Sequence, residues 1–274
     1  MTHKKAVLIT CAVALMWSLA GLNIKMIHWD GAAIAGGRSL IAVVLLTPLV
    51  LNSPCRKITP YVMGGAVCYA AFNYCFIIST KLTTSAHAIM LQYTAPIYVA
   101  LLSWVFLKER IRRSDLICMA FVFGGMILFF LDETGGGTTL GNIISVFNGI
   151  TFAGISIFLR LQKDGNPVMS MYIGNVLSAL IGLPIMISIG LPDSKSILLL
   201  LLAGGLSALT YALYAKASTG LTALETVLIP IIDPVMNPVW VFFILGEQPG
   251  VLSIFGAFIV LTAVATRVTS SPST

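Results

Sequence analysis

The chain has 274 residues, 58% of them hydrophobic and only 9% charged, whereas a soluble domain carries roughly 25% charged residues. Water is therefore excluded as its main solvent. The formal net charge of +6 does not point to nucleic acid, because nothing here forms a soluble basic face, and the run KERIRR at 108–113 needs no partner beyond lipid headgroups.

Apolar segments of about 17 to 25 residues, the length a helix needs to cross a hydrocarbon core of roughly 30 Å, recur along the whole chain. The first, 6–28, follows Lys4 and Lys5 as a signal peptide would, but it is too long and nine more follow, so it reads as a retained helix. Trp17 lies in its middle, facing a cavity or filling the core, with Gly21 one turn on and Lys25 at its far end. The second, 32–51, carries Arg38 about six residues deep beside Ser39; a role for Arg38 in holding anionic cargo or pairing with an acid follows from that depth. The third, 60–80, sets Tyr69, Asn73, Phe76 and Thr80 on one face. The fourth, 84–107, starts near His87 and holds Gln92 and Pro96. Segments five and six, 114–131 and 140–160, precede a seventh, 168–190, with small residues Gly174, Ser178 and Gly182 every four positions, as close helix packing requires. The eighth, 196–218, repeats the polar and aromatic face as Ser207, Tyr211, Tyr214 and Ser218. The ninth and tenth are 222–245 and 250–267. In lipid, segments this long must bond their backbone internally as helices, and the short alternating strands of a porin-like barrel do not fit. Connections such as Asn52 to Thr59, Lys108 to Arg113 and Asp132 to Thr139 leave no room for a soluble catalytic or nucleotide-binding domain.

Lys and Arg collect on the cytoplasmic side of membrane proteins. Lys4, Lys5, Arg56, Lys57, Lys108, Arg110, Arg112, Arg113, Arg160, Lys163, Lys216 and Arg267 fall on one side, and Lys25, Lys81 and Lys195 on the other. Both termini are expected in the cytoplasm, and the protein in the cytoplasmic (inner) membrane. Cys11, Cys55, Cys68, Cys75 and Cys118 lack CxxC spacing, and His3, His28 and His87 form no ligand motif, so neither a disulfide framework nor a metal site is expected. Trp29, Trp104 and Trp240 fall near expected boundaries and read as interfacial belts.

A gapless shift of 138 residues lays APIYVALLSWVFLKE (95–109) over DPVMNPVWVFFILGE (233–247), matching Pro96 with Pro234 and Glu109 with Glu247. LAGLNI (19–24) parallels FAGISI (152–157), and Pro48 parallels Pro184, at slightly different shifts. Two repeats, 1–135 and 136–274, follow. Five helices in each is an odd number, so the second enters the membrane upside down, the arrangement of many secondary transporters.

The stretch LIPIIDPVMNPVW (228–240) puts Asp233 about eleven residues into the ninth segment, or roughly 16 Å at 1.5 Å per residue. At that depth a charge costs about 2.5 to 3.5 kcal/mol even on the lenient insertion scale, so it should face a polar cavity or be protonated. Pro230, Pro234 and Pro238 free the carbonyls of Thr226, Pro230 and Pro234. A carboxylate next to open carbonyls, with Asn237 one turn on, suits an ammonium group, a cation or a proton. Pro96 frees the carbonyl of Gln92 at similar depth, so the two broken helices are expected to meet. The plainer alternative is that the prolines only kink, and that Asp233 is satisfied by Asn, Tyr or Lys neighbours. Lys216 and Glu225 flank the turn before the ninth segment as a gate pair or as ordinary interface charges; His87 is the repeat-mate of Glu225 and a candidate pH-sensing group.

The stretches MWSLAGLNIK, GRSLIA, TTSAHAIMLQYTAPIYVALLSWVFLKER and TALETVLIPIIDPVMNPVWVFFILGEQP resemble the drug/metabolite transporter superfamily, specifically its EamA-type members with two five-helix repeats. The resemblance spans nearly the whole chain. It implies an all-α membrane protein of ten transmembrane helices in two inverted five-helix repeats, with both ends inside and a cavity between the halves; look-alikes move amino acids, other metabolites or drugs. The expected function is alternating-access secondary transport of a small metabolite, with an amino acid or amine-bearing solute as the cargo suggested by Asp233 and Arg38 together. Tyr69, Asn73, Gln92, Trp17, Tyr211, Tyr214 and Asn237 are the further binding candidates, and Pro96, Pro230, Pro234, Pro238, Lys216, Glu225 and His87 the candidates for helix breaks and gating. No GxxxxGK[ST] loop is present, which leaves a proton or solute gradient as the energy source and calls for no cofactor. A passive channel or facilitator is the alternative; a membrane-embedded enzyme is disfavoured, because Asp233 and a remote His87 supply no convergent nucleophile and base.

Overall fold

The computed structural model describes residues 1–53, 57–83, 85–109, 111–132, 138–236, 240 and 251–269. Asn237, Pro238, Glu247, Cys55, Arg56, Arg110 and most of the ninth expected segment beyond Met236 lie outside them. Among the described residues the chain is entirely helical, without strands. The helices are α1 (His3–Trp17), α2 (Ala20–Met26), α3 (Gly31–Leu51), α4 (Pro60–Leu82), α5 (Ser85–Gln92), α6 (Ala95–Leu102), α7 (Arg113–Asp132), α8 (Thr139–Leu161), α9 (Pro167–Ile189), α10 (Ser194–Ser218), α11 (Ala223–Leu228) and α12 (Val251–Thr269). Among the described residues six helical spans are long and apolar enough to cross a membrane: Gly31–Leu51, Pro60–Leu82, His87–Leu107, Thr139–Leu161, Pro167–Ile189 and Ser194–Ser218. The first, fifth and tenth expected segments and the described part of the ninth are helical too, as α1 with α2, α7, α12, and α11 with the residues up to 236, and lie outside those six.

Polar residues at the segment boundaries start the long helices by satisfying the open N–H groups of the first turn. Asp30 Oδ1 accepts from the backbone of Ala32 at 2.8 Å and Ala33 at 3.2 Å. Asp193 Oδ2 caps α10 through Ser196 N–H at 3.1 Å, and Thr138 caps α8 through Gly141 N–H at 3.1 Å. Polarity is otherwise inside out relative to a water-soluble fold. Leu8, Val44, Ile187, Leu198 and Phe258 are exposed, whereas Asn73, Asn148, Asn175 and Thr210 are fully buried. An apolar exterior around a hydrogen-bonded polar interior is what lipid as solvent selects.

Two helix pairs run antiparallel at close range. On α3 and α9, Gly36 faces Gly182, where an added Cβ on Gly36 would lie 2.7 Å from the Gly182 Cα; further along, Thr47 Oγ1 donates to the Tyr172 hydroxyl at 3.3 Å. The stripe expected on α9 is therefore a packing seam: Gly174 lies against Tyr69 and Ala66 of α4, and the Ser178 carbonyl accepts from Tyr74 at 2.9 Å. On α7 and α12, Asp115 pairs with Arg267, Cys118 Sγ donates to the Ala263 carbonyl at 3.5 Å, and a Cβ on Gly125 would lie 2.8 Å from the Gly256 carbonyl. Between these pairs, α4 packs on α8 and α9, and α10 on α1 and α3. The main core cluster gathers Tyr69, Phe72, Tyr93, Phe152, Tyr211 and Tyr214 where these elements meet.

Candidate functional site

Three interrupted helices converge on that aromatic core. The first apolar segment breaks at Ser18–Leu19 between α1 and α2, where the Ser18 hydroxyl bonds back to the Leu15 carbonyl at 2.7 Å and competes with the helical ladder. It also accepts from Trp240 Nε1 at 2.6 Å, so Trp240 is a half-buried partner of the break, whereas Trp104 is 68% exposed as an interfacial residue would be. The fourth segment breaks at Tyr93–Thr94, with Pro96 in the first turn of α6. Gly149 of α8 makes room for this break: a Cβ there would lie 2.8 Å from both the Gln92 carbonyl and Thr94 Oγ1. In the ninth segment α11 tightens into a 3₁₀ turn at Ile229–Ile231 around Pro230, and helix resumes over 232–236.

Two of the three carbonyls expected to be open at this last break are taken. Tyr214 donates to the Thr226 carbonyl at 3.0 Å, and Tyr93 to the Pro230 carbonyl at 2.6 Å. These are the acceptors that Pro230 and Pro234 release by lacking an N–H. The expectation that they line the cavity as free acceptors is corrected: tyrosine hydroxyls from neighbouring helices satisfy them, as burial at membrane depth demands. Tyr93 also reaches Asp233 Oδ2 at 3.3 Å, so the two broken helices meet through one hydroxyl.

Asp233, Arg38, Gln92, Tyr211 and Trp17 line a single cavity of about 30 Å³, together with Asn23, Ile24, Phe72, Phe76, Ser207 and Thr210. Trp17 ends α1 rather than sitting mid-helix; its indole N–H donates to Thr210 Oγ1 at 2.9 Å, and its ring lies 5.0 Å from Tyr211 and 5.2 Å from Tyr214. Gln92 Oε1 accepts from Asn148 Nδ2 at 2.7 Å. Three expected binding residues stand behind the wall. Asn73 accepts from the Arg38 guanidinium and donates to Ser39 Oγ at 2.9 Å, so it holds Arg38 in place. Tyr69 bonds Asn175 at 3.3 Å and lies 3.4 Å from Ser207 Oγ, and Tyr214 bonds Ser156 at 3.2 Å.

Arg38 is 4% exposed and Asp233 5% exposed. Each is held by a neutral partner, Asn73 and Tyr93, and no salt bridge joins the two among the described residues. Arg38 Nε, Asp233 Oδ1 and Asn23 Oδ1 are buried without a hydrogen-bond partner among the described residues. A space of about 30 Å³ holds a water or two, not a metabolite.

A second cavity of about 440 Å³ opens where the N-terminus and the 219–222 turn come together. Its walls carry His3, Glu109, Asp115, Arg160, Glu225 and Arg267. In place of the pairing suggested with Lys216, Glu225 lies 3.2 Å from His3 Nε2 and accepts from the Thr222 N–H at 2.9 Å in a capping box, while Lys216 is exposed. Arg160 pairs with Glu109 at 3.0 Å. His87 is buried near the start of α5, away from the lining of either cavity.

Sequence reasoning missed Tyr93, Asn23 and Thr210. Tyr93 stands three residues before Pro96, in the stretch a proline break unwinds, and Asn23 is a lone amide in an apolar run; both positions signalled them.

Residues 4–131 match the model of the EamA-like transporter family. The chain is 25% identical to the "Uncharacterized transporter YwfM" of Bacillus subtilis (strain 168) over 201 residues, which cover 69% of this chain and 66% of that one, just under two thirds of its length. It is 23% identical to the "Uncharacterized transporter YyaM" of the same organism over 248 residues, 83% of this chain and 79% of that one. A solved crystal structure of a protein superposes with a TM-score of 0.73 over 97% of this chain and 98% of the other at 17% identity, a likeness of fold alone. With its six apolar spans, the chain is an integral membrane protein.

Proposed function

We propose that the chain belongs over its whole length to the EamA-like transporters of the drug/metabolite transporter superfamily, and is a secondary active carrier that exposes the Asp233 cavity alternately to either side of the cytoplasmic membrane. In this reading ten transmembrane segments form two inverted five-helix repeats, 1–135 and 136–274, with both termini cytoplasmic. The family match over 4–131 falls within the first repeat. Segments two and seven, and five and ten, would be repeat-mates, and α3 with α9 and α7 with α12 run antiparallel as inversion requires. Exchanging the halves turns the α4–α9 packing into α10–α3, and α4–α8 into α10–α1; all four are present. Tyr69 touches Ser207, its mate at a shift of 138 residues, a meeting that needs both near a twofold axis.

The observation that carries the reading is the cavity at the junction of the broken helices, with Asp233 and Arg38 buried in it and polar atoms left open. Asp233, Arg38, Gln92, Tyr211 and Trp17 contact cargo; Asn73, Tyr69 and Tyr214 position them; Pro96, Pro230 and Pro234 supply the breaks about which the halves rock. Glu225 with His3 acts on the cytoplasmic mouth, where Lys216 is an ordinary interface charge. A proton on Asp233 is the candidate coupling ion. The small cavity is distinct from the 440 Å³ vestibule, which favours a carrier over an open channel.

The test is a panel of metabolites scored for raising the melting temperature of the purified protein, followed by counterflow of the hits in proteoliposomes. Saturable counterflow that Asp233→Asn abolishes at normal protein levels is expected. Non-saturable flux, or hits indifferent to Asp233→Asn, would overturn the carrier or its site.

A further inference from the structure

We infer, independently of the carrier reading, that the vestibule is a second ligand site, where Arg112, Arg160 and the Ser103 hydroxyl hold a phosphate-type oxyanion. One hydroxyl breaks the habit of its neighbours. A serine or threonine within a helix ordinarily returns its hydroxyl to a carbonyl three or four residues back. Thr47, Ser145, Thr210 and Thr262 all do so, to Val43, Gly141, Leu206 and Phe258, at 2.7 to 2.8 Å. Ser103 is only 4% exposed, yet its Oγ has no partner among the described residues. It stands at the vestibule wall and opens the π-helical turn Ser103–Leu107, whose wider winding brings the Glu109 N–H to the Ser103 carbonyl at 3.3 Å. Turns of this kind are rare and frequent at functional sites.

The pairing of charges gives the ligand its sign. Each acid of the vestibule has its base: Asp115 has Arg267, Glu225 lies 3.2 Å from His3, and Glu109 takes Arg160 at 3.0 Å. Arg112 is the lining base left over. Its backbone N–H is fixed to Asp115 Oδ2 at 2.8 Å, whereas its exposed side chain has no acid partner among the described residues. Arg160 commits its Nε to Glu109 and keeps the two amino ends of its fork without a bond among the described residues. Two guanidinium forks and a hydroxyl thus offer donors to one space whose carboxylates are already engaged. Phosphate oxygens take donors of this kind, bidentate from arginine, whereas a cation would meet an unmatched guanidinium. The volume of about 440 Å³ lies within the range of small-molecule sites, about 300 to 1,000 Å³, and admits a phosphate monoester with its substituent. A free phosphate compound and a phospholipid headgroup share this chemistry.

The experiment measures binding of radiolabelled inorganic phosphate to the full-length protein in neutral detergent, by equilibrium dialysis at constant ionic strength, beside the melting temperature. In parallel the protein is placed in nanodiscs of phosphatidylcholine with and without phosphatidic acid, whose headgroup is a phosphate monoester, and mass spectrometry of the intact protein counts the phosphatidic acid retained. Saturable phosphate binding that chloride does not displace is expected. Arg112→Gln and Arg160→Gln should each weaken it about tenfold or more, the scale of a charged hydrogen bond, and Ser103→Ala about 2- to 10-fold, the scale of a neutral one. Arg112→Lys, which keeps the charge, should retain part of the binding. Without phosphate, Ser103→Ala should melt level with the wild type or above it, because a buried hydroxyl without a partner costs stability; a fall would make Ser103 structural and remove it from the site. If phosphatidic acid is retained through these residues and free phosphate binds far more weakly, the oxyanion is a lipid headgroup and the site stands. Binding that survives both Arg112→Gln and Arg160→Gln, binding that Arg38→Gln abolishes, or no binding of either probe would overturn it.

Discussion

In the vestibule Asp115 meets Arg267, Glu109 meets Arg160 and Glu225 meets His3; in the central cavity Arg38 and Asp233 meet only neutral side chains and keep open atoms. Both regions carry ionisable groups, but the three acids lining the larger one are each paired with a base within the protein, whereas Asp233 and Arg38 of the smaller one are held by neutral groups. The difference teaches where to look for cargo. Size favours the 440 Å³ space, whereas buried charge of both signs without a charged partner favours the 30 Å³ one, because there a ligand relieves a cost of burying charge already present in the fold.

Breaking this contrast is possible from either side. The largest expected effect is Asp115→Asn, which removes the charge paired with the buried Arg267 and should cost about 3 to 5 kcal/mol, read as loss of folded protein or a large fall in melting temperature. Asp233→Asn and Arg38→Gln should behave oppositely, losing about 10- to 150-fold in cargo affinity for a charged hydrogen bond of roughly 1.5 to 3 kcal/mol while the melting temperature without cargo stays level or rises. Gly182→Leu drives a side chain into Gly36 across the α3–α9 seam and should destabilise by about 1 to 3 kcal/mol; unchanged thermal unfolding would contradict that packing. Tyr93→Phe leaves the Pro230 carbonyl without its donor and should cost about 1 to 3 kcal/mol, with exchange rates altered alongside. Smallest is Arg160→Gln, whose ion pair is 24% and 30% exposed and should contribute under about 1 kcal/mol; an effect rivalling Asp115→Asn would erase the distinction between buried and open pairs.

Much of this was legible from residue order. Segment positions follow from apolar length, and the break points follow from Pro96 and Pro230 because a missing N–H must interrupt the ladder. Arg38 and Asp233 stood out because ionisable groups at depth are rare. What residue order did not disclose was who meets whom. Tyr214 shares a helical face with Tyr211, and Tyr69 stands on the matching face of α4, yet of the three only Tyr211 lines the cavity, since the other two turn to the Thr226 carbonyl and to Asn175. Glu225 chose His3, 222 residues away, over nearby Lys216 because the first helix ends against the α11 turn. Such choices are settled by packing between distant segments, which periodicity does not encode.

The two hydroxyls that seal the split ninth helix come from different places: Tyr214 from α10, beside it in the chain, and Tyr93 from the other half of the protein. Drawing α5 away from the 3₁₀ turn keeps the first seal and strips the second. The Pro230 oxygen then loses its tyrosine donor and turns to water, so any parting of α5 from this turn would be a wetting event whose ease depends on water activity.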